Sequence, residues 1–92
     1  MELFDISNKD ELTINEKPLF LTGTTKNLKL TVSPNVNASI VLSQVAINSL
    51  EICVLESATL NIDFIGHGII DIKENFSLGK NAMVNFKVIY DI

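Results

Sequence analysis

Three segments of this 92-residue chain share one pattern, and that repetition limits the fold more than any single residue does. Leu30 to Leu42 reads LTVSPNVNASIVL, Ile52 to Phe64 reads ICVLESATLNIDF, and Phe76 to Val88 reads FSLGKNAMVNFKV. Each begins with two apolar residues separated by one other: Leu30 and Val32, Ile52 and Val54, Phe76 and Leu78. A short polar break follows, ending on Ala38, Ala58 or Ala82, and apolar residues then return at every second position. In this alignment the first copy carries two extra residues in its break. The near-constant interval from Ala38 to Ala58 to Ala82 indicates stacked units, because one such unit cannot bury its apolar side alone.

Within each copy the alternation has a period of two, the geometry of a strand. Leu28, Leu30 and Val32 face away from Lys29 and Thr31; Leu50, Ile52 and Val54 face away from Glu51 and Cys53. Leu60, Ile62 and Phe64 alternate with Thr59, Asn61 and Asp63. Pro34 cannot donate a ladder hydrogen bond and Asn35 tolerates unusual backbone angles, so residues 33–35 read as a turn. Residues 1–11 read as a loosely docked terminus. Leu12 and Ile14 form a short beat closed by a turn at 15–18, residues 22–27 form a loop around Gly23, and residues 44–49 are less regular. Two glycines around His67 mark a tight corner, and Glu74 and Asn75 mark another turn. No apolar stripe of helical period runs for ten residues, so little or no helix is predicted.

Two all-β architectures accommodate these strands. In an antiparallel β-sandwich, LESA and GKNA would be hairpin loops. In a right-handed parallel β-helix of about four short coils, each copy is one coil, the break is a corner, and the alanine sits just inside it. The constant period, the fixed small residue and the similar side chains at matching positions favour the β-helix. Stacking the copies puts Thr31, Cys53 and Ser77 in one outward ladder and sets Asp63 beside Lys87. Inward it stacks Ile40, Leu60 and Val84, and likewise Leu42, Ile62 and Phe86. Residues 1–25 are then an N-terminal segment that caps one end, and residues 26–92 are the β-helix core of a single domain. A solenoid this short has open ends with unpaired backbone groups, which predicts a homodimer.

Composition narrows the function classes. With 47% hydrophobic residues the chain has enough apolar side chains for a core despite its length. Its net charge of -4 offers no cluster of Lys and Arg for nucleic acid or an anionic membrane surface. The N-terminal MELFDISNKDEL does not resemble a secretory signal, and no apolar run is long enough to span a bilayer, so a cytoplasmic protein is expected. The single cysteine excludes an internal disulfide framework and fits a reducing compartment.

Two side chains are candidate ligands. Cys53, outward by alternation, offers a soft sulfur for iron or a persulfide. His67 is the sole imidazole, placed at a corner within reach of solvent or metal, although His is also chosen at corners for its tolerance of unusual backbone angles. One Cys and one His do not complete a three- or four-ligand site. Glu51, Glu56, Asp63, Asp71 and Glu74 are spread along outward faces, where they read as solubilising and edge-protecting charges rather than paired catalytic carboxylates. With no phosphate loop, nucleophile elbow or metalloprotease helix, no enzyme is expected.

The pattern of an apolar pair, a short polar break ending in alanine and a second alternating strand, carried by ICVLESATLNIDF and FSLGKNAMVNFKV, resembles the core of the SufB/SufD family, scaffold components of iron-sulfur cluster assembly. The resemblance covers about residues 26 to 90. It implies a right-handed parallel β-helix, a non-catalytic paired scaffold, an ABC-type ATPase as partner, and a transient iron-sulfur cluster rather than a stably bound cofactor. Family members also carry helical segments flanking this core, on which the ATPase docks.

Overall fold

The computed structural model describes residues 2–16, 18–65, 69–70 and 76–89. All their regular structure is strand: β1 (Glu2–Asp5), β2 (Glu11–Ile14), β3 (Leu19–Val32), β4 (Asn37–Val54), β5 (Thr59–Ile65), β6 (Ile69–Ile70), β7 (Phe76–Leu78) and β8 (Met83–Ile89). Every pairing is parallel. Since parallel neighbours cannot be joined by a hairpin, the antiparallel sandwich is excluded and the chain is a parallel β-helix.

The long strands β3 and β4 turn through a corner without leaving the hydrogen-bonded ladder. Their first halves stack with β1, β5 and β8 in the order β1-β3-β4-β5-β8, while their last residues stack with β2 and β7. Residues 22–27 are therefore strand rather than the expected loop, and the irregularity at 44–49 narrows to one bulge. Leu21 pairs with Leu42 but Gly23 with Val45, so Gln44 is inserted, at φ 54°. Residues 2–11 are likewise not a loose terminus. Their strand β1 pairs with β3 from Glu2↔Leu19 to Asp5↔Thr22, and Lys29 N donates to Asp10 O.

Alternation places the core as expected. Leu28, Leu30, Val32, Leu50, Ile52, Val54, Leu60 and Ile62 are all buried, joined by Ile6, Ile14, Leu21, Ile40, Leu42, Val45 and Ile47. The outward ladder Thr31–Cys53–Ser77 and the Asp63–Lys87 pairing also follow the sequence reading. The first copy does not. Val36 and Ala58 close matching turns, Thr59 N donates to Val36 O, and Ala38 pairs with Leu60, so the corner column is Val36–Ala58–Ala82. The first break contains no extra residues. The inward stacks are accordingly Ala38–Leu60–Val84, Ile40–Ile62–Phe86 and Leu42–Phe64–Val88.

What defines each corner is its backbone. Asn35, Ser57 and Asn81 have φ of 64°, 59° and 62°, each the third residue of a turn closed by Val36 N to Ser33 O, Ala58 N to Leu55 O or Ala82 N to Gly79 O. Positive φ there marks the turn family that favours Asn or Gly at its third position and Pro at its second, as Pro34 illustrates. Successive corners are joined as well: Asn35 N donates to Glu56 O and Ser57 N to Lys80 O, each at about 3 Å. On the outward face of β4, β5 and β8, Asn85 Nδ2 donates to Asn61 Oδ1 at 2.9 Å and Asn61 Nδ2 to Asn37 Oδ1 at 3.3 Å, tying three coils by their amides.

Coil size is not constant. Glu2 pairs with Leu19, Leu19 with Ile40, Ile40 with Ile62 and Ile62 with Phe86, so each coil takes more chain than the one before it. Counted in residues per coil, the N-terminal end is the narrow one and the other the wide one. Gly23 helps to close the narrow end. Its φ is 115°, and a Cβ added to it would lie 2.5 Å from Asp5 Oδ1 and 2.8 Å from Ser7 Oγ. Those two groups are engaged with each other's neighbours: Ser7 N donates to Asp5 Oδ1, and Thr24 N to Ser7 Oγ. Gly23→Ala should therefore cost about 1–3 kcal/mol from backbone strain alone, read as a lower urea midpoint. An unchanged midpoint would show that the corner relaxes freely.

Candidate functional site

The two ends of the β-helix differ chemically. At the narrow end Ile6 and Ile14 are fully buried, Phe4 and Leu12 are partly covered, and Lys9 Nζ lies 5.9 Å from the Phe4 ring centroid, a distance at which the ammonium is attracted to the ring. At the wide end no later strand covers the inner row among the described residues. Phe76 is 47% exposed, Leu78 52%, Phe86 45% and Val88 45%, whereas Ile52, Val54 and Ile62, which precede the first three in the same columns, are fully buried. Among the described residues of the last coil, Ala82 and Val84 remain partly packed on the core. Four core side chains are thus left half in water, a grouped apolar surface of the kind that marks contact sites.

The ring of polar groups around this surface is simple. Lys80 and Lys87 are exposed, with Asn81 and Asn85 between them. Among the described residues β8 pairs only with β5, and no described strand lies along the other backbone edge of Met83–Ile89.

Cys53 lies in β4, half-buried and unbridged, between Thr31 and Ser77 in the outward ladder and two residues from Glu51. Alternation alone locates it correctly. His67 lies outside the described residues, as do Asp71 and Glu74. The remaining acidic candidates are not brought together: Glu51 faces Lys29 across strands, Asp63 faces Lys87, and Glu56 sits exposed in a corner turn. Among the described residues no three of Cys, His, Asp and Glu are grouped to hold a metal ion.

A groove of about 590 Å³ runs along one flank, lined by Asn8, Asp10, Thr24, Lys26, Asn27 and Asn48. At its floor Thr25 Oγ1 donates to Lys9 O at 2.9 Å, and the lining presents amides, hydroxyls, one carboxylate and one ammonium. Nearby, the hydrogen bonds that Asp5 accepts from Ser7 hold its carboxyl below the usual carboxylate range. Sequence context singles out no residue of the groove. Its members come from coils far apart in the chain and carry no shared motif.

No helix among the described residues is long and apolar enough to cross a membrane. Comparison with family models, with characterised proteins and with solved structures finds no match to this chain.

Proposed function

We propose that this chain is a non-catalytic β-helical scaffold of the cytoplasm that acts through protein–protein contact, similar in kind to the core of the SufB/SufD components of iron-sulfur cluster assembly. The observation that supports this reading is the wide end, where Phe76, Leu78, Phe86 and Val88 lie about half in water while the residues that precede Phe76, Leu78 and Phe86 in their columns are fully buried. Isolated exposed apolar side chains are ordinary; four on the inner rows of one end coil are a surface for another protein. The relation to the scaffold family is supported by the parallel stacking of the LESA and GKNA corners, since that family's core is a parallel β-helix built on such units.

In that setting the partner is an ABC-type ATPase, and any handling of iron or sulfide falls to Cys53, the chain's only thiol. A single thiolate supplies one ligand, so a transient cluster here would draw its remaining ligands from a partner. Two measurements test the reading. Anaerobic titration with iron and sulfide should give a visible sulfur-to-iron absorption band that Cys53→Ala removes. A band that is absent from the wild type, or unchanged in the variant, discards metal handling and leaves a contact module without cluster chemistry. Calorimetric titration against a purified ABC-type ATPase should show binding. A chain that neither binds the ATPase nor self-associates is not a scaffold.

A further inference from the structure

We propose that the groove on the flank binds a small zwitterion whose two charges lie about a dipeptide apart, a short peptide with both termini free, with Asp10 taking the ammonium end and Lys26 the carboxylate end. This site is separate from the wide end and does not depend on the scaffold reading.

The backbone creates the groove. Between the matched pairs Asp5↔Thr22 and Glu11↔Lys29 the first coil spends five residues, 6–10, and the second spends six, 23–28. The bulge at Gln44 adds one more to the third. Three coils thus fall out of step on this flank, and the groove of about 590 Å³ lies there, within the ~300–1,000 Å³ usual for small-ligand sites. Its floor differs from the rest of the interior. Thr25 pairs with the buried Ile47 in an inward column, yet it is a polar residue, 8% exposed, whose Oγ1 donates to Lys9 O at 2.9 Å. One row of the core turns polar directly beneath the groove.

Charge selects the ligand. The neighbouring charges are matched: Glu11, Lys29 and Glu51 alternate along one outward column, and Lys9 Nζ lies over the Phe4 ring. Asp10 and Lys26 both line the groove and are exposed, and among the described residues neither has an ion-pair partner, each other included. A neutral ligand would strip water from both charges and return no counter-charge, an anion would do so at Asp10, and a cation at Lys26. A ligand carrying both signs compensates both.

Spacing sets its length. Counted from Glu11↔Lys29, Asp10 stands opposite Leu28, two residues from Lys26 on the neighbouring coil. At ~3.3 Å per residue along a strand and ~4.8 Å between strands, the two backbones are ~8 Å apart. One extended residue spans less than half of that, whereas two, at ~3.3–3.6 Å each, nearly reach it. The middle of such a ligand is a peptide group with one donor and one acceptor, the same pair of functions that a carboxamide returns. Asn8, Asn27 and Asn48 line the groove with their amides uncommitted among the described residues, whereas Asn37, Asn61 and Asn85 are tied to one another. The lining holds no aliphatic or aromatic residue, so selection falls on the termini of the ligand and not on its side chains.

The test is a titration of the full chain followed by nitrogen–proton correlation NMR, with diglycine as the probe. Diglycine should give saturable shifts with a dissociation constant of ~1 mM, the scale of a small ligand held at an open site. The shifts should centre on the backbone signals of residues 24–27 and the side-chain amides of Asn8, Asn27 and Asn48. N-acetyldiglycine and diglycinamide, each lacking one charge, should bind at least ~10-fold more weakly. Asp10→Asn and Lys26→Gln change exposed side chains and should leave the far-UV circular dichroism as it is. Asp10→Asn should bind diglycine ~10-fold more weakly and no better than N-acetyldiglycine. Lys26→Gln should show the same loss and no longer distinguish diglycine from diglycinamide. Shifts that do not saturate, a one-charge analogue that binds wild type as tightly as diglycine, maltose moving the same signals at equal concentration, or an unchanged affinity in either variant would each overturn the proposal.

Discussion

Ile62→Lys should leave no folded protein at neutral pH, while Phe86→Lys, its neighbour one coil further along the same inner column, should fold. Ile62 is fully buried, paired with Ile40 on one side and Phe86 on the other. An ammonium there has no carboxylate or carbonyl to donate to in an apolar stack, so it must lose its proton or break the coil. Full burial lowers a lysine pKa by up to ~3–5 units, which at ~1.4 kcal/mol per unit costs ~4–7 kcal/mol. That approaches the entire stability of a domain this size, about 5–15 kcal/mol. Because the introduced group's folded pKa lies below its unfolded value near ~10.4, the penalty is complete below the folded pKa and shrinks as pH rises towards the unfolded one. Circular dichroism at pH 7 and again near pH 10 checks both halves, with partial recovery expected at the higher pH. A variant that folds at pH 7 with wild-type stability would show that the column is wet. In Phe86→Lys the new ammonium lies at a position 45% open to solvent and stays hydrated, so that variant keeps its fold.

Ile52→Ala is expected to cost about 2–5 kcal/mol, the range for truncating a large aliphatic side chain in a packed interior. Ile52 is fully buried and stacked between Leu30 and Phe76. Neither neighbour can collapse into the void without dragging its own coil out of register, since each is fixed by parallel pairing along its strand. The effect should therefore fall in the upper part of that range. Urea unfolding checks it, as a lower midpoint with an unchanged slope. A loss below ~1 kcal/mol would mean that the interior closes around the missing atoms more freely than a well-packed core does.

Much of this fold is legible in the residues. Period-two alternation assigns Leu28, Leu30, Leu50, Ile52, Leu60 and Ile62 to the interior, and all are buried there. The repeat spacing sets Thr31, Cys53 and Ser77 in one ladder, as the register confirms. The first copy falls out of alignment when alanine is taken as the marker of the corner. The backbone requires a residue that accepts positive φ, and Asn35, Ser57 and Asn81 meet that requirement at more even intervals than the alanines do. The small residue after it is a secondary feature that Val36, half-buried, replaces in the first copy. The pairing of β1 with β3 is hidden for another reason: the strand Glu2–Asp5 carries too short an alternation to register, and its partners lie a full coil away.

The open end is invisible to pattern. Phe76, Leu78, Phe86 and Val88 alternate as cleanly as any interior set, and nothing local distinguishes a covered row from a bare one. Only the stacking order, with β5 and β4 beneath and no described strand above, makes them a surface. Cys53 shows the converse. Its direction is readable, but the company it keeps, Thr31, Ser77 and Glu51, is an outcome of register as much as of sequence neighbours.

The gradient in coil length also gives the molecule a direction of growth. The narrow coil, with Ile6 and Ile14 buried in it, leaves the ribosome before the broader ones and can serve as a template on which each broader layer is laid while the next is still being made. Every layer inherits its alignment from the one beneath, as neighbour-only contacts in a solenoid require. Errors in threading would therefore accumulate toward the later coils.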